Sequence, residues 1–195
     1  MIKEMLGIAE GILQDLHDDH EEVASLLEAI PDSDDQFERN SLFQQMRAKL
    51  LTHSHAEDEV LYRRLKASRH EASRKFAEEG EREHQLVEQQ LQKMLAADDK
   101  MTDAWMAQLT ELQKLVDHHV DEEESTGFSC ARDEFDKDEL ETMGTEFQRR
   151  KDELMVKCGL THWRLFCGLK GPVYTNASDW FLRPRAVRLP ARANG

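Results

Sequence analysis

Four stretches of this chain place apolar residues at alternating steps of three and four, the stripe that buries one face of a helix in a bundle. The first runs Leu13, Leu16, position 20, Val23, Leu27 and Ile30, and stops at Pro31 and the turn-forming PDSDDQ. The second runs Phe43, Met46, Leu50, positions 53 and 57, then Val60. The third runs Phe76, Gly80, position 84, Val87, Leu91 and Met94, and ends at AADDKMTD. The fourth runs Trp105, Leu109, Leu112, Val116, then positions 119 and 123, and breaks or kinks at Ser125–Gly127. A shorter fifth helix is expected from Asp136, a plausible N-cap for KDELETMGTEFQRRKDELM. The connections are short, which predicts antiparallel neighbours: an all-α, up-down-up-down four-helix bundle over residues 1–158 with a short fifth helix. From Gly159 the texture turns to Gly, Pro, Arg and scattered aromatics without a period, so residues 159–195 read as an irregular, flexible tail.

The open positions in the stripes are His20, His53, Glu57, His84, His119 and Glu123. Each sits where the period calls for a buried apolar side chain. A single buried histidine is ordinarily a hydrogen-bonded core residue. Six such groups across all four stripes, two of them carboxylates with no Lys or Arg in the same stripes, call for a cation. His53–Glu57 and His119–Glu123 are i,i+4 pairs, which point from one helix face toward one place. Imidazole with carboxylate suits iron, manganese or zinc. His55–Glu59 share that spacing but lie off the stripe. His118–Glu122 have a partial stripe through Leu115, and compete with His119–Glu123. An aromatic at the same offset from each histidine, Tyr62 after His53 and Phe128 after His119, favours the 119/123 pair. His17, one turn before His20, reads either as a support behind the ligands or as solvated, with solvation preferred, and the acidic runs DDHEE, EEGERE and DEEE read mostly as solvated helix faces.

The pattern is also duplicated. His20 is followed 33 residues later by His53-x-x-x-Glu57, and His84 is followed 35 residues later by His119-x-x-x-Glu123. Three candidate ligands per half make a natural site for two metals. Four histidines, two bridging carboxylates and an oxo or hydroxo bridge would fill about ten of twelve octahedral positions, leaving about two for a small ligand.

Composition narrows the setting. Of 195 residues, 39% are hydrophobic and 34% charged, enough for one core beneath a strongly solvated surface. The formal net charge is −14, but residues 156–195 carry seven Lys/Arg against the single acid Asp179, so residues 1–155 stand at −20. So acidic a body argues against nucleic acid and anionic membranes as partners. Three cysteines (Cys130, Cys158, Cys167) with no CxxC spacing fit a reducing compartment. The N-terminal MIKEMLGIAEGILQDLHDDH has acids where a signal peptide needs an apolar run, and nothing reaches the length of a membrane span. A cytoplasmic location is expected.

Taken together, LHDDHEEVASLLEAI, LLTHSHAEDEVLYRRL, EGEREHQLVEQQL, LVDHHVDEEESTGF and the ELETMGTEFQRRKDEL helix resemble the hemerythrin-like family, the HHE cation-binding domain, over about residues 10–155. The resemblance implies a carboxylate-bridged di-iron centre on a four-helix bundle. His20, His53, Glu57, His84, His119 and Glu123 would be its ligands, and the two glutamates its bridges. Members include oxygen carriers, gas, redox and iron sensors, and proteins that repair iron centres. The reversible carriers typically add a fifth histidine where this chain has Glu88, and use an aspartate as second bridge, so simple oxygen carriage is not expected here. The usual proline after the LY of the second helix is Arg63. The expected function is a module that binds or senses O2, NO or peroxide at two iron ions. The alternatives are a di-iron enzyme that decomposes peroxide or activates oxygen, and iron storage or iron-centre repair. Trp163, Phe166, Tyr174, Trp180 and Phe181 among the tail arginines leave a protein partner open.

Overall fold

The computed structural model describes residues 10–157. The expected tail over 159–195, with Cys158 and Cys167, lies outside the described residues. Within them the chain is helical and has no strand: α1 Ile12–Ala29, α2 Gln36–Glu57, α3 Arg63–Lys66, α4 Glu71–Leu95, α5 Asp103–Glu122, α6 Phe128–Glu134 and α7 Lys137–Lys157. Two π-helical turns, Asp58–Tyr62 and Glu123–Gly127, splice α2 to α3 and α5 to α6, so five helical rods form a bundle. At the end of each π turn an amide bonds five residues back, Arg63 to the Asp58 carbonyl and Phe128 to that of Glu123. The break expected at Ser125–Gly127 is therefore a change of winding.

The helix starts follow from their caps. Asp35 accepts from the Glu38 amide at 2.8 Å and opens α2; Thr102 accepts from the Trp105 amide at 3.2 Å and opens α5. Asp136 and Glu139 bond reciprocally at 2.9 Å, a capping box that starts α7 where expected. That helix has 21 residues against 18 in α1, so it is not short. It packs on α1 and α2. The entry to α1 turns on Gly11, at φ 57°, where a Cβ would stand 2.3 Å from the Leu140 carbonyl oxygen of α7.

The core has two apolar clusters. One joins Val23, Leu27, Ile30, Phe43, Met46, Leu50, Val87, Leu91, Met94, Trp105, Leu109, Leu112 and Val116, drawn from α1, α2, α4 and α5. The other joins Leu13, Leu16, Val60, Leu61, Tyr62, Leu65 and Phe128 to Leu140, Met143, Phe147 and Leu154 of α7. Each fully buried Leu or Phe contributes about 1.5–3 kcal/mol. Arg39, itself buried, closes the first cluster by donating to the carbonyls of Pro31, Ser33 and Lys100, which ties two connecting loops together. Between the clusters lies a polar layer.

Candidate metal centre

All six side chains singled out by the stripes meet in that layer. Glu57 and Glu123 are 0% exposed and His20, His53, His84 and His119 at most 8%. The competing pairs do not enter: His55, Glu59 and Glu122 are exposed, and the His118 side chain is 65% exposed. Two overlapping sets of four donors, His20–His53–His119–Glu123 and His53–Glu57–His84–His119, each lie within 4.8 Å of one another.

The rings form a rectangle. His20 and His53 stand 5.0 Å apart and His84 and His119 4.6 Å, whereas His20–His119 and His53–His84 are both 6.4 Å. The short edges define two histidine pairs. Each carboxylate faces one member of each pair: Glu57 Oε2 lies 3.5 Å from His53 Nε2 and 3.3 Å from His84 Nε2. Glu123 Oε2 lies 3.1 Å from His20 Nε2 and 3.5 Å from His119 Nε2. That is the arrangement in which two cations, one per histidine pair, could share both carboxylates.

Behind each histidine stands an outer carboxylate on its Nδ1: Asp19 for His53 at 3.2 Å, Asp58 for His84 at 2.8 Å, Glu83 for His119 at 3.0 Å and Glu124 for His20 at 2.9 Å. Each of these acids is the chain neighbour of one inner residue but serves a histidine on the next rod. The bonds therefore close a ring around the bundle, from α1 to α2, on to α4, to α5 and back to α1. An Nδ1–H given outward leaves Nε2 as a bare lone pair and makes it more basic, the usual preparation of a histidine that binds metal.

Without a cation this layer has too many acceptors. His20 Nε2, His53 Nε2 and all four oxygens of Glu57 and Glu123 are buried with no hydrogen-bond partner among the described residues, and His84 Nε2 faces His119 Nε2 at 3.2 Å. Protons can fill the gap in part. Burial alone would lower His20 and His119, but Glu123 with Glu124 raises His20 to about 9, and Glu123 with Glu83 raises His119 to about 10. Burial would raise Glu123, yet the imidazoles of His119 and His20 facing it at 3.5 and 3.1 Å hold it well below the usual carboxylate range. Positive charge is what the layer lacks, and metal cations fit the donors present.

Tyr62 borders the site. Its ring stacks on His84 at 5.4 Å and 10° and meets Phe76 edge-on at 5.6 Å. Burial, then the charges of Glu57 and Glu123, push its phenol well above 10, and its hydroxyl has no hydrogen-bond partner among the described residues. Gly80 makes room for it: a Cβ there would come within 2.5 Å of the ring. The π turn explains the placement. Residues five apart align on a π turn as residues four apart nearly do on an α turn, so Tyr62 follows Glu57 down the same face.

On the other side of the histidines a cavity of about 20 Å³ is lined by Val23, Leu50, Val87 and Val116, one from each of four rods, and by His20, His53, His84 and His119. Its accessible lining is almost wholly apolar. A groove of about 170 Å³ between α2 and α4 shares Leu50, Ser54, His84 and Val87 with it and adds His55, Asp58, Gln85 and Glu88.

The model of the hemerythrin HHE cation-binding domain matches residues 11–131, more than half of the chain. This chain belongs to the hemerythrin HHE family. Its HHE domain is thus a metal-cation-binding one, and the buried His/Glu layer is compatible with a metal site. Among curated proteins it is similar to a DNA nickase of Nostoc sp., 29% identical over 145 residues, which is 72% of this chain and 39% of the relative. The chain thus spans well under half the length of that protein. No solved structure matches it.

Several HHE-domain residues escaped the sequence reading. Asp19, Glu83 and Glu124 sit in acidic runs that read as solvated faces, and His17, where the sequence favours solvation over a place behind the ligands, lies 2.9 Å from Glu124 although 40% exposed. The available signal was adjacency: an acid stands directly before each lone histidine and directly after each glutamate of the His-x-x-x-Glu pairs.

Proposed function

We propose that this HHE domain holds two iron ions, one at His20/His53 and one at His84/His119, bridged by Glu57 and Glu123, and that it binds or senses a diatomic gas, O2 or NO. The bundle order is read as up-down-up-down, in keeping with the way the end of α1 shares a cluster with the start of α2 and the end of α4 with the start of α5. The metal function is assigned to residues 1–158, in a reducing, cytoplasmic setting. The basic segment 159–195 is left for contact with a protein partner.

The observation that carries the choice of ligand is the apolar cavity against the four histidines. Its volume of about 20 Å³ accommodates one small molecule, and its lining offers few of the two to four polar partners that hold a water. Peroxide, with hydrogen-bonding hydroxyls, loses more on entering such a space than a weakly hydrated diatomic. Bound iron would supply the redox chemistry. The chain's own residues orient the donors through the outer carboxylates, keep water out with Val23, Leu50, Val87 and Val116, and admit ligand from the α2/α4 groove past Ser54. Apart from the four histidines assigned to metal, no titratable side chain among the described residues lines the cavity, which favours binding over the alternatives, peroxide decomposition and iron storage or repair. The relative's DNA nicking does not extend readily to this chain, because residues 1–155 carry a net charge of −20 and repel a phosphate backbone.

The test is metal content and an optical spectrum of protein purified without air, then exposed in turn to O2, NO and peroxide. About two irons per chain, with bands that respond to a gas and outlast it, support the reading. Zinc with a silent spectrum, or rapid peroxide turnover that exceeds any gas response, overturns it.

A further inference from the structure

The two histidine pairs are built alike but are not equally supported. Three of the outer carboxylates have an imidazole or no cationic partner behind them. Glu83 meets His118 at 3.3 Å and Glu124 meets His17 at 2.9 Å, and no Lys or Arg ion pair reaches Asp58 among the described residues. Asp19 is different: Lys151 of α7 donates to both its oxygens at 2.5 Å. The pair is screened from water, Asp19 being 13% and Lys151 17% exposed. The Asp19–His53 bond, at 3.2 Å, is also the longest of the four; the others span 2.8–3.0 Å. Phe147, one turn before Lys151, sets its ring edge-on to His53 at 5.8 Å and 90°, with the ammonium 5.0 Å from its own centroid.

Resting on the reading above, we infer that Lys151 is a positioning residue that makes the two metal positions unequal, weakening the hold of His53 so that the His20/His53 position is filled last and emptied first. The physics has two parts of the same sign. An ammonium on Asp19 competes for the lone pairs that the His53 Nδ1–H needs, so Nε2 becomes a poorer donor. The same fixed positive charge, poorly screened, opposes a second cation nearby. Lys151 lies beyond residues 11–131 matched by the family model, so the asymmetry comes from the fifth rod. Losing an outer partner changes metal affinity about 10–100-fold, and adding a charge to one is a smaller perturbation, so the expected effect is about three- to tenfold.

The experiment uses the full chain, stripped of metal and titrated anaerobically with Co(II), read by its visible absorption. The wild type should fill in two steps of different affinity. Lys151→Met should tighten the weaker step about three- to tenfold and leave the stronger one, while Lys151→Arg keeps the wild-type ratio. Lys151→Gln carries the same test should the methionine variant not fold. Arg150→Met, which removes an α7 contact to Glu59 away from the histidines, serves as control for loosening of the helix. An unchanged ratio in Lys151→Met, equal shifts of both steps, the same change in Arg150→Met, or a single affinity in the wild type would each overturn the inference. No cobalt uptake at all would instead sink the metal-binding reading on which it stands.

Discussion

The two halves of the bundle, α1 to α3 and α4 to α6, use the same parts in the same order. Each begins with an acid and a lone histidine, Asp19–His20 or Glu83–His84. Each continues to a His-x-x-x-Glu pair with an acid after it, Glu57–Asp58 or Glu123–Glu124, and to an aromatic five residues past the glutamate. Each passes through one π turn. They differ in what surrounds those parts. The first half has Tyr62 where the second has Phe128, and α7 packs on the first half and brings Lys151 to Asp19. What repeats is the donor set that the proposed pair of cations would require. What differs is left free to set how each position behaves.

The largest effect should come from the shared carboxylates. Glu57→Ala and Glu123→Ala should each abolish binding of both metals, measured as metal per chain after dialysis, because each glutamate spans both histidine pairs. Loss of only one metal in either variant would show that the halves bind independently. In the metal-free protein Glu123→Ala takes away the carboxylate that faces Nε2 of both His20 and His119, and removing one partner of such a buried pair costs about 3–5 kcal/mol in chemical denaturation.

The protonation of the layer sharpens the same comparison. His20 and His119 have folded-state pKa values of about 9 and about 10 against an ordinary 6.5. Their raised values stabilise the metal-free fold fully below about pH 6.5, and that contribution is lost as pH rises through 9 and 10. Metal must displace these protons, so uptake at pH 7 should release them, seen calorimetrically as a heat that depends on the buffer's ionisation enthalpy. Uptake without proton release would mean the histidines are already neutral.

Gly80→Ala presses a methyl group into Tyr62 and should destabilise by about 1–3 kcal/mol, as overpacking does. Adding Tyr62→Leu should recover part of that loss; simple additivity would place the strain elsewhere. The smallest effect is the aromatic exchange. Tyr62→Phe removes a hydroxyl that has no hydrogen-bond partner among the described residues and should change thermal stability by less than about 1 kcal/mol, whereas Phe128→Tyr buries a new one and should cost about 1–3 kcal/mol.

Much of this was legible because period and chemistry collide at only a few positions. A histidine or carboxylate in the middle of an apolar stripe is conspicuous, and all six such residues meet in one layer. The outer acids were not legible in the same way. Asp19, Asp58, Glu83 and Glu124 sit beside the stripe, where an acid ordinarily faces water, and only the neighbouring rod turns each toward an imidazole. The matched offset of nine from histidine to aromatic was visible, but its meaning, one α turn of four followed by one π turn of five, needed the backbone.

The sequence by itself determined the helices, the cap at Asp136, the apolar stripes and the six polar groups within them. These depend on spacing along one chain, which a period of 3.6 translates directly into a face. Only the tertiary structure decided which histidine pairs with which, which acid stands behind each ring, and that Lys151 reaches Asp19 across 132 residues. Those relations lie between rods, where distance in space is set by packing and has no counterpart in distance along the chain.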